Sequence, residues 1–313
     1  MEILEFEQQL YNLEKQITEL KNTTSTDDLK IIQQLEYQHS QLLKSIYSKL
    51  TPWQIVQIAR HSKRPKSLDY INQIFTNTFS LEGDRAGHID QAVLTMFAQI
   101  EGTSVMVIAQ ERGNDLETRQ KHNFGMVTPA GYRKVKRCVE LASKWQLPIV
   151  TLIDTSGAYP GKTAEELGQA EAIASCMAAF FKAQVPVVSY IIGEGGSGGA
   201  IGIGVANIIN ILEYSICSVA SPEAAASILW KDSSKKVDAS QSLGLTAQAL
   251  HAAGFVDFII KEPVGGAHRY PNQTIEDVKK TILRDLNKLK KQDGWLLARA
   301  REEKFLKFGS HLQ

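Results

Sequence analysis

Two hydrophobic rhythms divide this chain. Ile3, Phe6, Leu10, Leu13, Ile17 and Leu20 are spaced 3, 4, 3, 4, 3, the stripe of an amphipathic helix. Asn22–Asp28, rich in Thr and Asp, breaks the pattern, and Ile32, Leu35, Leu42, Ile46 and Leu50 resume it. The spacing predicts two short antiparallel helices over residues 1–50, outside the main fold. Residues 51–95 are transitional, with Pro52, Pro65 and a helix-like stretch near Tyr70–Phe79. From there the rhythm changes. Apolar runs of β type occur at Val105–Ala109, Pro148–Ile153, Val185–Ile192 and Ile208–Val219. Helical patterns separate them at Ala130–Trp145, at Ala164–Ala183 and in a short segment opening near Gly199. Such alternation predicts an α/β domain over residues 51–313 with a buried, largely parallel sheet. The last stretch, Ile275–Lys307, reads as helix, with Ile275, Val278, Ile282, Leu286 and Leu289 on one face.

Bulk properties narrow the classes. The 313 residues carry 43% hydrophobic and 22% charged positions, ordinary globular values. A net charge of +1 gives no global field to draw nucleic acid or an anionic membrane. The basic clusters Arg133–Arg137 and Lys288–Lys291 read as solvated helix faces. Cys138, Cys176 and Cys217 lie far apart with no CxxC pair, so neither a zinc site nor a disulfide framework is expected. Met1-Glu-Ile-Leu-Glu5 has acids where a signal peptide has bases. No apolar run reaches the roughly 18 residues that span a bilayer. The expected compartment is the cytoplasm.

Two glycine-rich loops, each between an apolar strand and a helix start, carry the candidate chemistry: Ile153–Thr163 and Ile192–Gly204. Exposed N–H groups and a helix dipole can hold an anion there. Ser156–Thr163 lacks the first glycine of a Walker A loop, and Pro160 removes a donor. Gly193-x-Gly-x-x-Gly198 matches a dinucleotide fingerprint formally, with Glu213 twenty residues on. It continues, however, into Gly199, Gly202 and Gly204, which would weaken a long dinucleotide-binding helix. A bland reading of both loops is tight turns needing small residues. Ser197 lies in Gly-Ser-Gly with no obvious paired base, there is no HExxH motif, and His61, His88, His122, His251 and His268 are scattered. What remains is stabilisation of a developing oxyanion by oriented backbone N–H groups.

Gly83-Asp-Arg85, Asn123-Phe-Gly-Met126, Gly131-Tyr-Arg-Lys134, Asp154-Thr-Ser-Gly-Ala-Tyr-Pro-Gly161, Ala164-Glu-Glu-Leu-Gly-Gln169, Gly193-Glu-Gly-Gly-Ser-Gly-Gly-Ala200, Ser221-Pro-Glu223, Ser227-Ile-Leu-Trp-Lys231 and Pro263-Val-Gly-Gly-Ala-His-Arg269 resemble, in this order, the α subunit of bacterial acetyl-CoA carboxylase carboxyltransferase. The resemblance runs from about Trp53 to the C-terminus, with Ser156 and Leu167 standing where that family usually has Pro and Arg. It implies a crotonase-type superhelix of ββα units, with the N-terminal helical hairpin and C-terminal helices around it. It implies transfer of a carboxyl group from carboxybiotin, borne by a biotin carboxyl carrier protein, to acetyl-CoA. The product is malonyl-CoA, the first committed step of fatty-acid synthesis. It implies an α2β2 heterotetramer whose β subunit carries the zinc ribbon, leaving no metal in this chain, and a separate biotin carboxylase that consumes ATP. The catalytic donors fall on Gly198 and Gly199, and the substrate-binding positions on Gly195, Gly196, Gly157 and Ala158.

Two alternatives stand beside this expectation. One is a divergent carboxyltransferase acting on another acyl-CoA. The other is a stand-alone crotonase-type hydratase or isomerase, which needs paired acids, with Glu165, Glu166 and Glu194 as candidates.

Overall fold

The computed structural model describes residues 3–22 and 28–310. Helices α1 (Gln8–Asn22) and α2 (Asp28–Tyr47) form the expected hairpin. Met1 and Glu2 of the acidic start, and Thr23–Asp27 of the predicted break, lie outside the described residues. The pair is tied to the rest of the chain. Leu4, Leu10, Leu43 and Tyr47 pack with Ile58 and Tyr214, and Arg269 reaches the Glu7 carboxylate at 2.9 Å.

Helix α3 (Pro52–Ala59) opens with a capping box in which Thr51 and Gln54 satisfy each other's backbone N–H. Helix α4 (Ser67–Ile74) ends earlier than the Tyr70–Phe79 stretch predicts, because Phe75 turns extended and Thr76–Ser80 pairs as strand β1. Its partner β2 (Val93–Ile100) has no counterpart among the predicted strands. Its polar residues are interspersed without strict alternation, which hides the period of two. A tight turn at Glu101–Gly102, with φ of 45° and 76°, returns the chain as β3 (Thr103–Gln110).

The order then becomes α5 (Leu116–Lys121), α6 (Pro129–Lys144), β4 (Ile149–Thr155), α7 (Lys162–Glu166), α8 (Gln169–Lys182), β5 (Val187–Gly196), α9 (Ser197–Gly204), β6 (Ile208–Leu212), β7 (Ile216–Ser218), α10 (Pro222–Trp230), α11 (Lys236–Ser242), α12 (Ala247–Ala252), β8 (Phe258–Ile260), α13 (Pro271–Leu289) and α14 (Gly294–Leu306). Three predicted elements are each divided in two. The helix over Ala164–Ala183 breaks at Gly168, whose φ is 79°. The run Ile208–Val219 turns at Glu213–Ser215, so that β6 pairs with the middle of β5 and β7 with its end. The C-terminal helix breaks before Gly294, where Asp293 caps α14.

The strands form one sheet of order β1-β2-β3-β4-β5-β6-β8, with β7 also on β5. From β3 onward all pairing is parallel, as the buried apolar runs require. Two apolar layers cover the sheet. One packs Val135, Val139, Phe180 and Ile203 from α6, α8 and α9; the other packs Tyr70, Ile275, Val278 and Ile282 from α4 and α13. The Arg133–Arg137 cluster is not simply a solvated face. Lys134 is buried and donates to Asp90 O at 2.7 Å, Arg133 pairs with Asp84, and Arg137 donates to the carbonyls of Glu82 and Gly83.

Candidate active site

Strands β4 and β5 run parallel and adjacent, with Thr155 opposite Gly195, so both glycine loops leave the same edge of the sheet. Crevices at the carboxyl ends of parallel strands are where ligands meet α/β folds. At Gly196 and Gly199 the loops touch backbone to backbone. A Cβ on Gly196 would stand 2.2 Å from Ser156 O, and one on Gly199 would stand 2.4 Å from the Gly157 carbonyl carbon. Only glycine permits that approach. Thr155 secures the first loop: its hydroxyl lies 2.6 Å from Gly125 O and 2.8 Å from Gly157 O, and accepts the Gly157 N–H at 3.1 Å.

Helix α9 starts directly from β5. Ser197 is exposed at φ 45°, a left-handed turn that changes strand into helix within one residue. The first four N–H groups of a helix have no intrahelical acceptor and carry the positive end of its dipole. Here they belong to Ser197, Gly198, Gly199 and Ala200. Gly198, Gly157 and Ala158 are half-buried beside one another's loops, while Gly199 is buried against Gly157. Gly195 and Gly196 are fully buried within β5, where a Cβ would meet Cys217 Sγ or Ser156 O. They therefore act on the crevice by letting the two loops close.

Beneath this edge lies a network of charges. The Glu194 carboxylate is buried and accepts from Arg60 at 2.6 and 3.0 Å and from Arg112 at 2.7 Å. Its N–H donates to Asp154 Oδ1 at 3.1 Å, and Asp154 lies 3.5 Å from both Arg112 and Lys66. Burial alone would raise the Asp154 carboxyl; the Lys66 and Arg112 charges and the Glu194 N–H outweigh it and hold it below the ordinary range. Burial would likewise lower the guanidinium of Arg60, yet the Glu194 contacts hold it above its usual value. Burial pulls the Lys66 ammonium down.

The remaining candidates disperse. Glu165 and Glu166 lie exposed on α7, and Lys162 pairs with Glu166 at 3.4 Å. With Glu194 locked by two guanidiniums, the paired acids of a hydratase do not assemble. An apolar cavity of about 180 Å³ under α9 is lined by Ile153, Ile191, Ile209, Phe305 and Cys217 among others. Burial pushes the Cys217 thiol up to about 12, so it supplies no thiolate. Among the described residues no group of three His, Cys, Asp or Glu is arranged to hold a metal ion. Sequence reasoning missed Arg60, Arg112, Gln110 and Thr155. The available signal was Asp154 and Glu194 themselves, acids at the ends of apolar strands that burial obliges to find cations.

A family model described as acetyl co-enzyme A carboxylase carboxyltransferase-like matches residues 3–309. The chain is 48% identical over 315 residues to the acetyl-coenzyme A carboxylase carboxyl transferase subunit alpha of Paramagnetospirillum magneticum, covering 99% of this chain and 98% of that one. It is 49% identical to the same subunit of Brucella anthropi, covering 99% of each. Among solved structures, a transcarboxylase 12S superposes with a TM-score of 0.61 at 19% identity over 76% of this chain and 44% of that one. The β subunit of Pseudomonas aeruginosa geranyl-CoA carboxylase does so with 0.56 at 16% identity over 80% and 46%. These structural likenesses show the crotonase-type α/β fold. The near full-length sequence match shows more: this chain belongs to the family of acetyl-CoA carboxylase carboxyltransferase α subunits and is a transferase subunit of that enzyme.

Proposed function

We propose that the N–H groups of Gly198 and Gly199 form the oxyanion cradle of a carboxyl transfer from carboxybiotin to acetyl-CoA, giving malonyl-CoA. In this reading the biotin is borne by a biotin carboxyl carrier protein and is charged by a separate biotin carboxylase. The chain works with a zinc-ribbon-bearing β subunit in an α2β2 heterotetramer in the cytoplasm. Residues 1–50 are a helical segment attached to a carboxyltransferase domain of residues 51–313. The family of the relatives supports the assembly and the acyl substrate, and no helix among the described residues is long and apolar enough to cross a membrane.

The observation that carries the reading is the head of α9, where Gly199 lies against Gly157 of the other glycine loop with no room for a Cβ. That contact holds the α9 N–H groups beside Gly157 and Ala158, at the edge of the sheet where a flat ureido ring would lie. When bound, carboxybiotin would supply the carboxyl group, and its ureido oxygen would carry the negative charge that develops. The Gly198 and Gly199 N–H groups then donate to charge that is greater in the transition state than in the ground state, which is what accelerates a reaction. Gly157 and Ala158 wall the ring, and Gly195 and Gly196 keep the two loops in contact. The test is malonyl-CoA-dependent carboxylation of biocytin by this chain mixed with a β subunit. Activity only in the mixture is expected. A mixture that assembles yet stays inactive refutes the proposal, and enoyl-CoA turnover by the chain alone would favour a hydratase.

A further inference from the structure

Strand pairing with β4 and β7 holds the segment Glu194–Gly199 as far as Gly196, and side chains anchor it at Glu194 and at Gly199. Along β5, Tyr190 and Ile192 enter the apolar layer beneath the sheet, and the register against β4 then shifts before Gly195 pairs with Thr155. Helix α9 packs on the other layer through Ala200 and Ile203. The Glu194 carboxylate, four residues before Gly198, takes three guanidinium hydrogen bonds from Arg60 and Arg112. Arg60 also binds Glu223 at 2.9 Å, in the first turn of α10. At the other end, the fully buried Gln110 of β3 donates from Nε2 to Gly199 O at 2.7 Å. Between these points Gly195 and Gly196 are fixed by pairing with β7, and the exposed Ser197 and half-buried Gly198 form the turn beyond it. Glycine has the greatest backbone freedom of any residue, so this segment takes its direction from its anchors.

We propose that Glu194, clamped by Arg60 and Arg112, and Gln110 are positioning residues that set the direction of the Gly198 and Gly199 N–H groups. Neither touches the reacting atoms. Both act through the backbone, and the inference rests on the reading of those two amides as the donors. Charge-assisted, bidentate pairs suit the task because they fix an angle as well as a distance.

The test uses the complex of this chain with a β subunit and the variants Glu194→Gln, Arg112→Lys and Gln110→Met. Two readouts are taken: steady-state carboxylation of biocytin from malonyl-CoA, and amide hydrogen exchange. A displacement of the donors by a fraction of an ångström to 1 Å predicts a kcat lower by about 10- to 100-fold, with KM for malonyl-CoA changed less than about 2-fold. Exchange should quicken at Gly195–Ala200 and stay unchanged in α6 and α13. The double variant of Glu194→Gln with Arg112→Lys should lose no more than Glu194→Gln alone, because both break one clamp. If Glu194→Gln does not fold, Arg112→Lys and Gln110→Met decide, since Arg112 is partly exposed and Arg60 keeps its two bonds. Unchanged kcat, additive losses, or exchange quickened throughout the chain would each overturn the proposal. If the wild-type complex has no activity, the functional reading fails instead, and local exchange still decides the positioning role.

Discussion

Alanine substitutions at the two adjacent glycines that head α9 should behave oppositely. A Cβ at Gly199 would lie 2.4 Å from the Gly157 carbonyl carbon, 2.7 Å from Ala158 N and 2.8 Å from Gly157 O, all of them backbone. Ordinary contact begins at 3.4 Å, so Gly199→Ala must push the two loops apart by about 1 Å. A Cβ at Gly198 would meet only Ile173 Cδ1, at 3.6 Å, which is ordinary contact. Both variants keep the peptide N–H, so any difference reports placement of the donor and not its removal. A misplacement of that size costs about 100-fold in rate, or about 2.7 kcal/mol of transition-state stabilisation. Gly199→Ala should therefore lose about two orders of magnitude in kcat/KM for biocytin carboxylation by the complex, and Gly198→Ala should stay within about 3-fold of wild type. Urea denaturation of both variants separates inactivation from unfolding, since overpacking costs about 1–3 kcal/mol of stability. Equal losses in the two variants, or a fully active Gly199→Ala, would refute the argument that loop contact sets the oxyanion geometry.

Three further outcomes follow from the packing. The Glu7 carboxyl, though burial alone would raise it, is brought to about 2 by His268, Arg269 and Tyr47, against 4.5 for a free glutamate. Wild type should exceed Glu7→Gln in unfolding free energy by about 3 kcal/mol above pH 5, and the advantage should fade as pH falls from 4.5 to 2 in urea titrations. The fully buried Arg301 donates to the carbonyls of Phe180, Ala183 and Val185 and to Asn207 Oδ1; Arg301→Met should cost about 3 kcal/mol and expose α14 to limited proteolysis. A Cβ at Gly202 would lie 2.5 Å from the buried Tyr132 ring, so Gly202→Ala should lower Tm, and a second substitution, Tyr132→Leu, should restore part of it where Tyr132→Phe does not.

The parallel part of the sheet was legible because its strands are buried on both faces and read as unbroken apolar runs. Tyr190, Ile191 and Ile192 illustrate this: all three are at most 2% exposed, though they face alternate layers. The antiparallel edge was not. Val93–Ile100 mixes Thr95 and Gln99 into its run, and every residue of Thr76–Ser80 is exposed, so neither shows a clean period. The two split helices share a cause: Gly168 and the N-capping Asp293 mark helix boundaries by local backbone chemistry that a stripe of apolar positions does not register. At the site, the glycine loops could be found by their composition. Their supports could not, because Arg60, Gln110 and Arg112 come from α3, β3 and the loop beyond, and only the fold brings them together.

The commitments of the neighbouring side chains also favour the proposed backbone donors. A peptide N–H at a helix start offers positive potential without a titrating proton and without a flexible stem to order, so its direction is fixed before the substrate arrives. Side-chain charges near the crevice are already committed to one another: Glu194 to Arg60 and Arg112, Glu223 to Arg60, Glu262 to Arg64. Drawing any of them into proton transfer would leave its partner charge buried and unpaired, at a cost of several kcal/mol. On the proposed reading the crevice receives negative charge and does not move protons. Deprotonation of the acyl methyl group then falls to the substrates themselves or to the partner subunit, and the pH dependence of turnover should follow those groups. If Arg112→Lys, which keeps the charge, shifted the pH–rate profile, the side-chain network would have to be counted among the titrating groups after all.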